Sequence, residues 1–297
     1  MNFEKWANEH MIHKIIAGSQ LYGTSTPESD VDIRGVCLMP LQALLGLQNF
    51  EQYQLLNEEQ DVEIYGLTKF VRLALDANPN ILDILFAPKD RWMMQTEEWQ
   101  QIYDNRKLFL STRVRHTFSG YAHSQLKRLQ THREWLMHPS DHRPTPEEYN
   151  CKLVTDSKGG QTVEAVDPQD KRKYGASCLR WEQYQNWLKN RNPERAKLEK
   201  QFGYDTKHAC HLVRLLLKAK FILEVGDYNP ALSEADRVTV LGVKEGNWTY
   251  ECLIDWAQHS DEEVQNMLSD LPHSPNRKVI EEILIMINLK TISEAKW

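Results

Sequence analysis

Long apolar runs are missing from this sequence, and no stretch approaches the length needed to span a bilayer. No signal-peptide pattern opens it either, because Met1–His10 is charged and broken up. Cysteine is scarce. The five, Cys37, Cys151, Cys178, Cys210 and Cys252, include no CxxC pair and are odd in number. That favours reduced thiols in a cytoplasmic protein over a disulfide framework or a zinc ribbon. A dominant positive charge is also lacking. The net charge is −6, with the acidic residues dispersed, which argues against wholesale electrostatic binding to nucleic acid but leaves room for a local basic groove. Internal repeats and low-complexity tracts are absent. What is present is an ordinary globular profile of 297 residues, 41% hydrophobic and 26% charged, long enough for one large domain or two.

The order of local patterns predicts an α+β fold. His13–Ala17 is a short apolar run ending in Gly18–Ser19, which reads as a buried strand and a tight turn. Gln20–Ser29, rich in Gly, Ser, Thr and Pro, reads as a loop. Val31–Met39 is a second strand, stopped by Pro40, and Asp61–Tyr65 alternates polar and apolar as a third. Leu67, Phe70, Val71, Ala74 and Leu75 fall on one helical face within 67–77. Ile81–Phe86 is apolar without a legible type. Further on, the apolar period is helical, with candidate helices over 112–137, 177–190, 205–225, 249–257 and 276–290. The stretch 138–175 has little apolar content and reads as a long, loop-rich insertion. The expected architecture is a small mixed sheet with flanking helices in a domain over 1–110, followed by a mostly helical domain over 111–297.

The chemistry concentrates near the first turn. Gly18–Ser19 follows a strand, so the turn lies at the strand's carboxyl end, where backbone N–H groups can hold phosphate oxygens and glycine permits close approach. Asp30 and Asp32 begin the next strand. Residues two apart on a strand face one side, so the two carboxylates project together while Val31 and Ile33 turn inward. Two carboxylates on one apolar strand repel unless a cation sits between them. The third strand offers Asp61 and Glu63, again on one face, and either suits a third ligand. Hard Mg²⁺, or Mn²⁺, is the expected cofactor, and three carboxylates on neighbouring strands suit a two-metal site for phosphoryl or nucleotidyl transfer. Arg34, just after the pair, is placed either to reach phosphates or to brace the carboxylates.

The string GSQLYGTSTPESDVDIRGV at 18–36 resembles the signature of the DNA polymerase β-type nucleotidyltransferase superfamily, in which Gly-Ser precedes Asp-x-Asp by about ten residues. More narrowly, the chain is similar to a family of predicted bacterial and phage nucleotidyltransferases. The segments that carry this are DVEIYGLTKFVRLALDANPN at 61–80, FSGYAHSQLKRL at 118–129, GYDTKHACHLVRLL at 203–216 and LPHSPNR at 271–277. The resemblance implies a small mixed sheet with flanking helices and a helical C-terminal region. It favours Asp61 as third carboxylate, whereas the apolar flanks of Glu63 argue the other way, and the choice stays open.

A second constellation lies on the helix at 205–225. Lys207, His211 and Arg214 at i, i+4 and i+7 share a face, suited on spacing alone to a triphosphate's oxygens or equally to solvent, and the family resemblance of this segment favours nucleotide and phosphate binding. His208 and His211 beside Cys210 hint at zinc but have no fourth ligand at suitable spacing. Tyr22 is either loop-shaping or a base platform. The expected activity is transfer of a nucleoside monophosphate from an NTP, such as ATP, to a hydroxyl. The preferred acceptor is RNA, for which a tRNA 3′ end is a candidate, in a groove drawn from Arg113, Arg115, Lys127, Arg128 and Arg133. Competing readings are a nucleotide-binding regulatory or antitoxin-like module, a protein-modifying (AMPylating) enzyme, and a nuclease built on Arg133 and His138. No membrane partner is expected.

Overall fold

The computed structural model describes residues 3–27, 29–56, 60–155 and 160–294. Met1 and Asn2 of the expected leaderless start, Glu28 of the expected loop and residues 156–159 of the expected insertion lie outside them. In chain order the elements begin α1 (Phe3–Glu9), β1 (Met11–Ile16), α2 (Gly18–Tyr22), β2 (Val31–Cys37) and α3 (Leu41–Leu44). Then come β3 (Gln52–Leu56), β4 (Gln60–Gly66), α4 (Leu67–Leu75), α5 (Pro79–Leu85), β5 (Trp92–Gln95) and α6 (Glu97–Asp104). The remainder is α7 (Arg113–Met137), β6 (Cys151–Thr155), β7 (Gln161–Ala165), α8 (Pro168–Asn190), α9 (Pro193–Phe202), α10 (Thr206–Val225), α11 (Glu234–Lys244), α12 (Tyr250–Asn266) and α13 (Arg277–Glu294).

The chain forms two compact units, one of residues 1–126 with 209–297 and one of residues 127–208. Compactness thus divides the chain elsewhere than at residue 110, because the C-terminal helices return to the unit that holds the sheet. The second unit also differs from a loop-rich insertion. Residues 151–155 and 161–165 pair as an antiparallel hairpin, and α8 begins at Pro168, with Asp167 capping it through a bond from the Gln169 N–H. Alternating Leu153 and Val163 stand in register across that hairpin, a period-two signal too short to separate from loop by composition.

In the first unit a five-stranded mixed sheet runs in the order β3-β4-β2-β1-β5. β1 lies antiparallel to both β2 and β5, β3 antiparallel to β4, and β2 parallel to β4. The parallel pair sets the site, because its register places Asp32 opposite Asp61 and Arg34 opposite Glu63. α4 buries Leu67, Phe70, Val71, Ala74 and Leu75, the face expected from the period. α6 buries Trp99, on which the fully buried His13 of β1 stacks at 3.9 Å between ring centroids. His13 Nδ1 donates to the Met94 carbonyl at 3.1 Å. Burial drives its pKa down to about 3 despite that bond, so the ring is a neutral core group. Among the described residues no helix is long and apolar enough to cross a membrane.

Candidate active site

The turn between β1 and β2 builds the site. Ala17 N donates to the Asp32 carbonyl at 2.8 Å, which ties the end of β1 to β2 at the motif. The next residue, Gly18, has φ +60, and a Cβ there would lie 1.7 Å from Asp32 Oδ2 and 2.6 Å from its Cγ. Only glycine fits, both for backbone conformation and because the Asp32 carboxylate rests against its α-carbon. α2 then begins at Gly18–Ser19 and ends at Gly23 with φ 75. The Ser19 carbonyl accepts from Thr24 N at 2.9 Å, which folds the exit of the turn back on itself.

Across the parallel pair, Asp61 sits beside Asp32, and Arg34 knits the carboxylates together. Its Nη2 is 2.8 Å from Asp61 Oδ2 and 3.6 Å from Asp32 Oδ1, and its Nε is 3.7 Å from Glu63 Oε2. Its Nη1 donates to the Ile33 carbonyl at 2.9 Å and the Asp61 carbonyl at 2.7 Å. Burial works against the charge, yet the Asp61 bond and the charges of Asp61, Asp32 and Glu63 outweigh it and hold the guanidinium above its ordinary pKa. These contacts are those of the bracing role. Glu63 also accepts from Gln52 Nε2 at 3.1 Å. Asp30, the residue before β2, is exposed.

Two features fit this pocket to a divalent cation. Asp61 Oδ1 is buried and has no hydrogen-bond partner, a costly state for a carboxylate oxygen unless a cation takes it. The Asp32 Oδ2 atom lies against the bare α-carbon of Gly18, where any side chain would block it. Carboxylate oxygens are the donors Mg²⁺ and Mn²⁺ prefer.

Behind the turn lies a buried network that the sequence reading did not single out. Asp83 of α5, 6% exposed, accepts from Tyr22 Oη at 2.7 Å and from the Tyr228 hydroxyl. Burial raises the Asp83 pKa, against the opposing pull of the Arg214 charge and the two tyrosine bonds. Arg214 of α10 lies over the Tyr22 ring, 3.5 Å from its centroid. Tyr22 is therefore fixed at its hydroxyl and covered on a face, a brace of α2. Lys218, one turn further along α10, donates to the carbonyls of Asn229 at 2.6 Å and Ala231 at 2.7 Å. Burial pulls its pKa down to about 8, with the charges of Asp83 and Asp236 opposing. The signal for this network was in the sequence: a lone acid inside the apolar segment 81–86 and a lysine inside the apolar run of α10 each demand a buried partner.

Of the other expected residues, His211 is half-buried on α10 within the first unit, and Lys207 belongs to the second unit and is exposed. Two members of the expected RNA groove make contacts within the fold. Arg113 pairs with Asp76 at 3.0 Å. Arg115 donates to the Val264 carbonyl at 3.0 Å and the Met267 carbonyl at 2.5 Å at the end of α12. Arg133 Nη1 donates to the Gly203 carbonyl at 3.3 Å, and His138 is exposed.

Residues 1–267 match the family described as the RNA repair pathway DNA polymerase beta family, RlaP. The chain belongs to that family. The nucleotidyltransferase resemblance of its Gly-Ser/Asp-x-Asp string is thereby borne out, and with it a transferase-type fold of mixed sheet, flanking helices and helical C-terminal half. Among its relatives is an uncharacterized 38.9 kDa protein of the nrdC–mobD intergenic region of Enterobacteria phage T4. It is 28% identical over 298 residues, covering 84% of this chain and 86% of that protein. Among solved structures, a nucleotidyltransferase-like protein from Exiguobacterium sibiricum 255-15 aligns over 100% of this chain and 79% of its own. At 11% identity and a TM-score of 0.25, nothing further rests on that likeness.

Proposed function

We propose that this RlaP-family chain transfers a nucleoside monophosphate from an NTP to a hydroxyl acceptor, with RNA as the preferred acceptor. The observation that carries the reading is the meeting of Gly18, Asp32 and Asp61: a glycine turn whose α-carbon supports one carboxylate, in register with a second that has an orphaned buried oxygen. Asp32 and Asp61 would hold the divalent ions, with Asp30 joining them from the loop. Asp61 is preferred over Glu63 because it stands opposite Asp32, whereas Glu63 stands opposite Arg34 and accepts from Gln52. Mg²⁺ or Mn²⁺ bound there supplies Lewis-acid activation of the attacking oxygen and charge neutralisation on the phosphates.

The chain's own groups do the rest. The Gly18–Ser19 turn orients the triphosphate through backbone N–H groups. Arg34 holds Asp32 and Asp61 at fixed spacing, so little reorganisation is needed at the moment of transfer. Arg214 stiffens α2 through Tyr22 and lends positive charge on the nucleotide side, while Tyr22, Asp83 and Tyr228 fix the turn from behind. Lys207, in the other compact unit, carries no role in this reading. An RNA acceptor is favoured by the family's description as part of RNA repair.

The test is incubation of the chain with each labelled NTP, Mg²⁺ or Mn²⁺, and total RNA or tRNA. Label moving onto RNA supports the reading. Label on the protein would redirect it to protein modification, shortened RNA without label to a nuclease, and no transfer with any NTP and either metal would overturn it.

A further inference from the structure

The second compact unit holds a cluster of metal-ligating side chains that the transfer chemistry does not use. His132 comes from the last turns of α7. Asp205 is the residue before α10, and His208 lies in its first turn. One ring nitrogen of each histidine and a carboxylate oxygen of Asp205 lie within 4.8 Å of one another. We propose that His132, Asp205 and His208 bind one divalent transition-metal ion of the zinc type.

Donor chemistry separates this site from the carboxylate pocket. Two imidazoles and a carboxylate suit Zn²⁺ or Co²⁺, whereas Mg²⁺ takes oxygen donors almost exclusively. The geometry is close to what such an ion needs. His208 Nε2 is 3.7 Å from Asp205 Oδ2, and tetrahedral ligands at zinc distances stand roughly 3.4 Å apart. Asp205 is pre-aimed. Its Oδ1 caps α10 by accepting from Lys207 N at 2.8 Å and His208 N at 3.1 Å, which leaves Oδ2 to face His208.

The surroundings support the ligands. Asp205 is 3% exposed, and the ring of His132 packs against Trp135 and Trp187 at 5.7 and 5.4 Å between centroids. His132 Nδ1 is buried, 3.5 Å from Glu199 Oε1, without an aligned hydrogen bond. Glu199 is 2% exposed and anchored through Oε2 to Arg191, whose Nε donates at 2.8 Å. A fixed carboxylate beside a ligating histidine is the usual device for setting its tautomer and orientation. The arrangement differs from the zinc pattern that sequence spacing suggested. Cys210 Sγ turns to the Val240 carbonyl at 3.5 Å, and His132, 76 residues before His208 in the chain, takes the place assigned to His211. Three protein ligands leave one coordination position for water.

The consequence is mechanical. His132 lies near the start of the second unit and Asp205 and His208 at its end, so a bound ion cross-links the two ends of that unit and closes the chain between them. Arg195 Nη1, 3.6 Å from Asp205 Oδ2, competes for that oxygen.

The experiment uses the full chain, stripped with a chelator and titrated with Zn²⁺, and with Co²⁺ as a spectroscopic probe. The parent is Asp32→Asn/Asp61→Asn, so that the carboxylate pocket does not contribute. One equivalent of Zn²⁺ should bind, Co²⁺ should give the intense visible bands of a tetrahedral site, and the melting temperature should rise on adding Zn²⁺. His132→Ala and His208→Ala should each weaken binding by about 100-fold or more and abolish the Zn²⁺-dependent rise in melting. Glu199→Gln should weaken it by roughly 10–100-fold, and Arg195→Gln should tighten it. Should the alanine variants fold poorly, Asp205→Asn keeps the helix cap and removes the anionic ligand, so it should lose Zn²⁺ while melting normally without metal. Binding unchanged in Asp205→Asn and His208→Ala, or no stoichiometric Zn²⁺ in the parent, would overturn the site and leave a His–Asp–Arg ion-pair cluster.

Discussion

Replacing Gly18 by alanine isolates the contact on which the proposed activity depends. A Cβ there meets Asp32 Oδ2 at 1.7 Å, and real Cβ atoms essentially never come closer than 3.0 Å. The carboxylate must therefore retreat by at least the difference, about 1.3 Å. A misplacement of about 1 Å in a catalytic constellation can cost on the order of 10²-fold in rate, or about 2.7 kcal/mol of transition-state stabilisation. Stability suffers separately, since alanine at φ +60 costs about 1–2 kcal/mol. For a unit of this size that is a drop of roughly 2–8 °C in melting temperature. The assay pairs labelled-NTP transfer with a thermal melt on Gly18→Ala, Asp32→Ala and the double variant. If alanine acts by expelling the Asp32 carboxylate, the double variant should transfer no more slowly than Asp32→Ala alone. It should also melt higher than the two losses added, because truncation at 32 removes the clashing oxygens. Additive losses in both measurements, or near wild-type transfer by Gly18→Ala, would refute the reasoning.

Further outcomes follow from the same site. Asp61→Ala should abolish transfer while Glu63→Ala retains a measurable fraction, as read by single-turnover rates; the reverse order would exchange their roles. Arg214→Ala should raise the NTP concentration needed, at a cost of about 1.5–3 kcal/mol for a charge-assisted contact, and Arg214→Lys should rescue poorly; an unchanged NTP titration would remove Arg214 from the nucleotide side. Tyr228→Phe should destabilise the fold by about 1–3 kcal/mol through the unsatisfied Asp83 oxygen, measured by urea unfolding, and no change would show that Asp83 finds another donor. His13 predicts an acid limb. Its folded pKa lies near 3 against an ordinary 6.5, so below pH 6.5 the unfolded chain takes a proton that the folded chain refuses. Stability should fall from pH 6.5 towards 3 by up to about 1.4 kcal/mol per unit, and His13→Phe should flatten that slope.

The central strands β1, β2 and β4 and most of the long helices were legible from their apolar patterns. The expected β2 and α4 and the helix over 205–225 each begin within a residue of the observed start. β3 and β5 were not legible: Gln52–Leu56 and Trp92–Gln95 lie at the sheet's edges with most residues exposed, so apolar alternation is weak there. The Asp32–Asp61 meeting was only half legible. Spacing two apart shows which residues share a strand face, but the parallel register across 29 positions of chain is a tertiary fact. The lone Asp83 signals that a buried partner is needed, but which partners it finds, the fixed role of Tyr22 and the grouping of His132 with His208 rest on contacts distant in sequence, which no local pattern encodes.

Arg34 has one more consequence. Its side chain is tethered to two backbone carbonyls, so its positive charge is a permanent part of the pocket rather than a visitor. Three carboxylates lie within its reach, and with Asp30 joining them four anions against one cation leave a net charge of minus three. A single divalent ion leaves the pocket still anionic; a second would leave it cationic until the anionic phosphates of a nucleotide arrive. On the proposed mechanism this fixes an order of assembly: the first metal can precede the substrate, and the second is best accommodated together with it. Apparent affinity for the second ion would then depend on NTP concentration, which makes the nucleotide itself a co-ligand of the machinery that acts on it.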